Sequence, residues 1–468
     1  SPAYPIKVGP TGRYLVDQNN VPFLIVGDSP HALFADLTEA QADAYFADRQ
    51  SFGINTLWAE ILVNPYVFGR PDASTYDGII PFTTPGDFST PNPAYFQRVD
   101  DMINLAASHG ITILLDSLET GGWITTAEQN GNTNCFNFGV YLGNRYKNFP
   151  NIIWILGNDF QTWNTSPTDN TLAQNIMAGI ASVDPNHLQT TELNYQLSGS
   201  LDDALLAPYS TLGSAYTYFP TYDEVLTQYN KTTSVPIFMV EEHYEFENVG
   251  GCCGEGGTPN ILRRQEYWTV LAGGLAGSMY GNHYTWTLDG PQGSPNWTNF
   301  LDSPGAQQLT YVKAFFTSYA WYNLVPDQNN TFVTAGYGVY DSGGALGANT
   351  YVTAALTPDG TLAMAYLPAA NSITVDLTQM AGSVTAQWFD PTIGIYTTVP
   401  GSPFANTGSV QLTPPSTNST GDTDWLLVLT ASPGSSASTK SAPAPSAKAA
   451  SASSASQPAP LPRKPGGQ

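Results

Sequence analysis

Positive charge is scarce in this sequence: 15 Lys and Arg stand against 38 Asp and Glu among 468 residues, a formal net charge of −23. A general nucleic-acid binder needs a basic face to neutralise phosphates, so that class is excluded. Charge of either sign makes up only 11% of residues, less than half the usual quarter. The polar surface is therefore built mainly from Asn, Gln, Ser, Thr and Tyr. Apolar runs are short, and none reaches the roughly 18 residues of a membrane span. Cysteine is limited to Cys135 and the adjacent Cys252-Cys253. An odd count leaves no complete disulfide set, and both one bridge and three free thiols are compatible with it. No second Cys or His pair stands at zinc-ligand spacing. Aromatics are plentiful, with 10 Trp, 26 Tyr and 21 Phe, enough to exclude a wholly disordered chain. This Lys-poor composition, rich in Thr, Tyr and Trp, predicts a secreted or periplasmic protein, and the start at Ser1-Pro2-Ala3 reads as that of a processed chain.

Three regions follow from the patterning. Between Pro22 and Trp321, apolar runs alternate with amphipathic ones: PFLIVGD, INTLWAEIL, ITILLDSLE, NIIWILGND, LQTTELN, TLGSAYTYF, PIFMVEEHYE and GSMYGNHYTW are strand candidates. Helix candidates such as LTEAQADAYFADRQSFG and PAYFQRVDDMINLAASHG lie between them. Thr38 and Asn92-Pro93 suit helix starts, and Gly53 and Gly110 suit stops. Eight such alternations predict a (β/α)8 TIM barrel over 1–325. No G-x-G-x-x-G follows the first strand, which argues against a doubly wound dinucleotide fold. From Asp327 to Ala431 the helical period disappears, and short alternating runs are separated by turns such as PDG and DPTIG. That predicts a small antiparallel β-sandwich over 326–431. With no linker between the two, the sandwich should pack on the barrel as a structural partner, with the aromatic end of the last barrel helix in the seam, sealing the bottom or side of the barrel. The remainder, 432–468, is Ser/Ala/Pro-rich and has no aromatic residue; it reads as a disordered tail.

In such a barrel the working residues lie at the C-terminal ends of the strands. The apolar runs end in Asp28 and His31; Trp58 and Glu60; Asp116 and Glu119; Asn158 and Asp159; Glu192 and Asn194; Tyr216 and Tyr218; Glu241 to Glu245, with His243 and Tyr244; and His283, Tyr284 and Trp286. Acids, His and aromatics thus share one rim with almost no Lys or Arg. A phosphate or carboxylate substrate would call for those cations. A neutral polyol fits better, because sugar faces stack on aromatics while hydroxyls bond acids and amides. Strands four and seven face each other across a barrel mouth, which makes Asp159 and Glu241 or Glu242 a pair suited to glycosidic bond hydrolysis. Alternation with Ile237 and Met239 favours Glu241. Asp28, His31, Trp58, Glu60, Asp116, Asn158, Tyr218, His243, Tyr244, His283 and Trp286 are expected to contact the sugar. Arg263-Arg264 are expected on a solvated helix face, and the GGCCGEGG loop as a lid or a pinned surface loop.

WILGND is similar to the strand-four W-x-x-x-N-E segment of retaining barrel glycosidases, with Asp in place of the acid/base Glu. The combination Gly27-Asp28-Ser29, Gly157-Asn158-Asp159 and Val240-Glu241-Glu242-His243-Tyr244-Glu245 resembles the apiosidase-like glycosidases of glycoside hydrolase family 140 over residues 5 to 431. TPDGTLAMAYLP, WFDPTIG and GDTDWLLVL resemble the β-domain that follows that barrel, which carries a collagen-binding label. The resemblance implies a retaining, exo-acting hydrolase of a terminal furanose-type sugar, apiose above all, from plant polysaccharides or glycosides. Asp159 is then the acid/base and Glu241 the nucleophile. The chain departs from the family at His31, where Trp is common, and at Glu242, where Pro follows the nucleophile. An endo-acting enzyme of the same class and a non-catalytic carbohydrate- or matrix-binding protein are the alternatives. A carbohydrate partner, a monomer, and neither metal nor organic cofactor are expected.

Overall fold

The structure is a computed structural model, and it describes residues 1–247, 255–288 and 296–433. The tail from residue 434 and the Cys252-Cys253 loop lie outside the described residues. Eight parallel strands form the barrel: β1 (Ile25–Asp28), β2 (Thr56–Glu60), β3 (Thr112–Glu119), β4 (Ile152–Gly157), β5 (Gln189–Thr191), β6 (Gly213–Thr217), β7 (Ile237–Glu241) and β8 (Gly277–Tyr280). The hydrogen-bonded order runs β5-β4-β3-β2-β1-β8-β7-β6, with a short antiparallel strand, Leu197–Gly199, added beside β6. Closure between β5 and β6 includes three bonds, one of them from Gln189 N–H to Thr211 Oγ1 at 2.9 Å. Leu212 N–H donates to Gln189 O at 3.0 Å, and Ser214 Oγ donates to Thr191 O at 2.5 Å.

Alternation along each strand sorts the side chains. Ile25, Trp58, Leu114, Ile153, Ile155, Phe238 and Val240 form the barrel's inner core with Ile6 and with Leu15 and Phe23 of a small N-terminal sheet that closes its floor. Leu57, Ile113, Trp154, Ile237 and Met239 belong to the outer core under the helices. Those helices start on caps written in the sequence: Thr38 makes a capping box with Gln41, and Asn92 caps Pro93–Ser108. The last strand candidate is only half a strand. After β8, Asn282 accepts from Tyr284 N–H and starts a short helix, His283–Thr287.

The C-terminal domain is a sandwich. A six-stranded sheet carries Leu362–Leu367, Trp425–Ala431 and Val384–Asp390 at its centre, and faces a three-stranded sheet of Val333–Ala335, Ile373–Asp376 and Ser409–Leu412. The larger sheet is buried on both faces, which is why LAMAYL and WLLVL read as unbroken apolar runs. Ala363, Ala365, Leu427 and Leu429 pack towards the small sheet; Met364, Tyr366, Leu426 and Val428 join the barrel's outer core. Across this seam Tyr366 stacks on Tyr267 at 5.4 Å between centroids, and Phe389 meets Phe315 at 4.8 Å. Trp321 and Tyr322, expected to seal the bottom or side of the barrel, lie at its floor, where Trp321 donates to Leu275 O and Tyr322 packs on Tyr14.

Arg263 and Arg264 are not a solvated face. Arg263 is 2% exposed and reaches Asp424 at 2.8 and 2.9 Å, Asp422 at 2.6 Å and Gln308 at 2.9 Å. Arg264 donates to the backbone carbonyls of Leu346, Asn349 and Pro368. Both guanidinium groups bolt the helix Pro259–Leu271 to the sandwich, and their partners are too distant in sequence to be read locally.

Candidate active site

The turn after β4 sets the first acid. Asn158 and Asp159 both adopt left-handed backbone, with φ of 69° and 53°. Such strain is tolerated best by Asn and Asp and collects at functional sites. Gly157 before them has no room for a side chain, since a Cβ there would lie 2.7 Å from the backbone of Glu192. That close approach sets the Glu192 carboxylate under the turn, where Oε2 accepts the Asp159 N–H at 3.2 Å. Asp159 is 1% exposed, and phenols occupy both of its oxygens: Tyr66 donates to Oδ2 at 2.7 Å and Tyr216 to Oδ1 at 2.6 Å.

The second acid comes from β7, by a route the alternation rule did not anticipate. Ile237 and Met239 face the helices, not the pocket, while Phe238 and Val240 point inward. The β6–β7 pairing then skips Val240, with Ala215 opposite Met239 and Tyr216 opposite Glu241. This irregularity lets Glu241 follow Val240 into the pocket, and Glu242 is left lying against Glu266 of the outer helix. Glu241 Oε1 accepts from Tyr218 at 2.7 Å and from Tyr216 at 3.2 Å; Oε2 accepts from Tyr244 at 3.3 Å. The Tyr216 hydroxyl therefore bridges the two acids. One carboxylate oxygen each from Asp159, Glu192 and Glu241 lie within 4.8 Å of one another. This is the carboxylate set among the described residues placed to ligate a cation, but phenols already fill all four oxygens of Asp159 and Glu241.

A further layer of acids lies beneath. Glu60 Oε1 accepts from Asn158 Nδ2 at 2.8 Å and lies 3.3 Å from His31 Nδ1; Asp116 accepts from Trp58 Nε1 at 3.1 Å. Burial, and then the charges of Glu241 and Asp159, push Glu60 well above the usual carboxylate range. Burial and the Glu60 charge do the same to Asp116 and Glu119. The phenols of Tyr216, Tyr218 and Tyr244 are raised by burial and by these anions, so they stay protonated as donors. Carboxylates this crowded oppose one another's ionisation, so Glu60, Asp116 and Glu119 each hold a proton more tightly than a free carboxylate does.

Of the residues expected at the sugar, His31, Trp58, Glu60, Asp116, Asn158, Tyr218 and Tyr244 converge here. Trp286 joins them through its ring contacts with His31 at 6.0 Å and Phe68 at 4.9 Å. Asp28 does not. Gly27 takes the inward position, so Asp28 points outward, where it accepts from Tyr45 and pairs with Arg49 at 3.2 Å, fully buried. His243 also lies outside the pocket: Nε2 meets Tyr218 O at 3.1 Å behind that phenol, and burial lowers its pKa. His283 sits in the short helix with its ring against Tyr284 at 5.2 Å. Glu192, Tyr216 and Tyr66 were not singled out from the sequence. The first two stood at strand ends, a position that marks them. Tyr66 lies on the loop after β2 and is signalled only by Gly121-Gly122, where side chains would collide with Tyr66 and Asn64.

Residues 10–323 match the family model described as "Apiosidase-like, catalytic domain", and residues 343–430 match "Putative collagen-binding domain of a collagenase". No curated protein matches the chain. Among solved structures it is similar to a glycoside hydrolase at 20% identity, with a TM-score of 0.77 over 91% of this chain and 96% of that one. It is also similar to a glycoside hydrolase family 5 structure from Bacteroides vulgatus at 20% identity, with a TM-score of 0.76 over 91% of this chain and 93% of that one. These likenesses carry the fold, a (β/α)8 barrel with an appended sandwich. The family model spans most of the chain, and the chain belongs to the apiosidase-like glycoside hydrolases, enzymes whose substrates are carbohydrates.

Proposed function

We propose that this enzyme is an exo-acting, retaining glycosidase that removes a terminal furanose-type sugar, apiose first among them, from plant polysaccharides or glycosides, and that it works as a monomer outside the cytoplasm. The observation that carries the mechanism is the approach of Asp159 and Glu241 to within 4.8 Å across the shared Tyr216 hydroxyl. Retaining pairs stand about 5–5.5 Å apart, whereas inverting pairs need about 6.5–9.5 Å to admit a water.

Two phenols, Tyr218 and Tyr244, donate to Glu241, stabilising its anion and aiming it, as an attacking carboxylate requires. Glu241 attacks the anomeric carbon and forms a glycosyl ester. The bond to the leaving oxygen breaks as Asp159 gives that oxygen its proton. Water then attacks the anomeric carbon, hands a proton back to Asp159, and Glu241 leaves as a carboxylate. Trp58 and Trp286 supply apolar faces beside His31 for a sugar ring. The test is a panel of aryl glycosides (apioside, arabinofuranoside, glucoside, galactoside, fucoside, rhamnoside) with the purified chain. The apioside should be cleaved fastest. A pyranoside cleaved faster than both furanosides would contradict the reading.

A further inference from the structure

A polar group faces each ring nitrogen of His31. Nδ1 faces Glu60 Oε1 at 3.3 Å, and Nε2 meets the Tyr244 hydroxyl at 3.1 Å. Tyr244 has one hydrogen and donates it to Glu241 Oε2. With that hydrogen on Glu241, the Tyr244 oxygen accepts from His31 Nε2, which then carries a hydrogen. In a neutral ring, Nδ1 would then be a bare lone pair directed at a carboxylate. The contact is favourable only if a further proton sits between Nδ1 and Oε1, on one atom or the other.

We propose that Glu60 and His31 are a positioning pair for the nucleophile, sharing one proton that keeps His31 a donor at Nε2 and so keeps the Tyr244 hydrogen on Glu241. When that proton leaves to solvent, His31 donates from Nδ1 to Glu60, accepts at Nε2, and the Tyr244 hydrogen turns away from Glu241. The pair is thus an alkaline switch on the attacking group. This rests on Glu241 being the nucleophile.

The groups facing the pair agree with retention of the proton. Asp116 and Glu119 approach Glu60 from β3, Asp159 from the β4 turn, Glu241 from β7 and Tyr95 from the helix Pro93–Ser108. All are acids, and each negative charge among them favours a proton held nearby. Against the ring itself stand the neutral edges of Trp58 at 4.6 Å and Trp286 at 6.0 Å.

Two substitutions separate the nitrogens. In His31→Gln the amide nitrogen stands in for Nε2–H and does not titrate. The alkaline limb of kcat should move up by about a pH unit or more, with the plateau kept within about tenfold. In His31→Asn the shorter amide reaches only the Nδ1 position, so the bond to Tyr244 is lost. Its kcat should fall about ten- to a hundredfold at every pH, the range of one hydrogen bond to a charged group. Tyr244→Phe gives the second reading: once the phenol is gone, adding His31→Gln should not change the pH profile further. A wild-type limb in His31→Gln, equal behaviour of the Gln and Asn variants, a further change in the double variant, or a wild-type profile flat to about pH 9 would each overturn the proposal. Glu241→Gln separates the two readings. If it is inactive while His31→Gln leaves the limb in place, the switch falls and the nucleophile stands; if it is active, the nucleophile reading falls.

Discussion

The seam between barrel and sandwich and the rim of the barrel both bury charge, in opposite ways. At the seam, Arg263 is closed on by two carboxylates and an amide, and the opposite charge lies within hydrogen-bond reach. At the rim, Asp159, Glu192 and Glu241 crowd together, and Asp159 and Glu241 accept from the neutral phenols of Tyr66, Tyr216, Tyr218 and Tyr244. A buried charge with its counter-charge is at rest, and removing one partner is strongly destabilising. Like charges held by neutral donors stay ready to exchange a proton or attack a carbon, and this marks a site of chemistry. The same acidic composition serves both ends, and only the partner distinguishes structure from catalysis.

If that contrast holds, substitutions at the two places should separate activity from stability. The largest effect belongs to the nucleophile. Glu241→Gln should cut turnover by on the order of 10⁴ or more with the thermal midpoint kept, while Glu242→Gln, which faces Glu266 instead of the pocket, should stay active. Next comes the acid. Asp159→Asn should slow glycosides with poor leaving groups far more than activated aryl ones, which need less protonation; equal loss on both would remove Asp159 from the proton-donor role. At the seam the pattern reverses. Asp424→Asn should destabilise the fold by about 3 kcal/mol, the lower end for breaking a buried pair because Asp422 remains, and leave kcat of the folded enzyme unchanged. Denaturant midpoints and kcat measured on the same samples check both halves.

The smallest effect is a slope. Burial, with the Asp202 charge, raises Glu224 to about 8, and burial raises Glu266 to about 7. Both folded-state values lie above the unfolded value of about 4.3, so the unfolded chain releases its protons first as pH rises. The stability these groups contribute is complete below about pH 4.3 and is lost as pH climbs through 7 and 8. Urea midpoints should therefore decline over that range, and Glu266→Gln should flatten the lower part of the decline. A flat profile in the native protein would show that neither acid is held protonated.

Much of the barrel, and the two acids that the structure brings together as the proposed pair, was legible because the signals are local. Gly157-Asn158-Asp159 carries both its close approach and its left-handed turn in three residues, and Asn92 and Thr38 announce helices by their caps. Glu241 was legible as a motif, but the face it occupies was not. The skipped pairing at Val240 reverses the alternation, and no residue type announces it. Asp28 and His243 show the opposite failure: a strand end names the rim but not the side, and both point into packing. Arg263 and Arg264 were illegible for want of range. Asp422 and Asp424 lie 159 and 161 residues from Arg263, and only the docked sandwich brings them near.

The claim on which the rest depends is that Asp159 and Glu241 work as a retaining pair. Proton NMR of the first product formed from a reactive aryl glycoside, recorded before mutarotation, reads this directly. The account predicts a sugar released with the anomeric configuration of the substrate. The opposite anomer as the first product would contradict it.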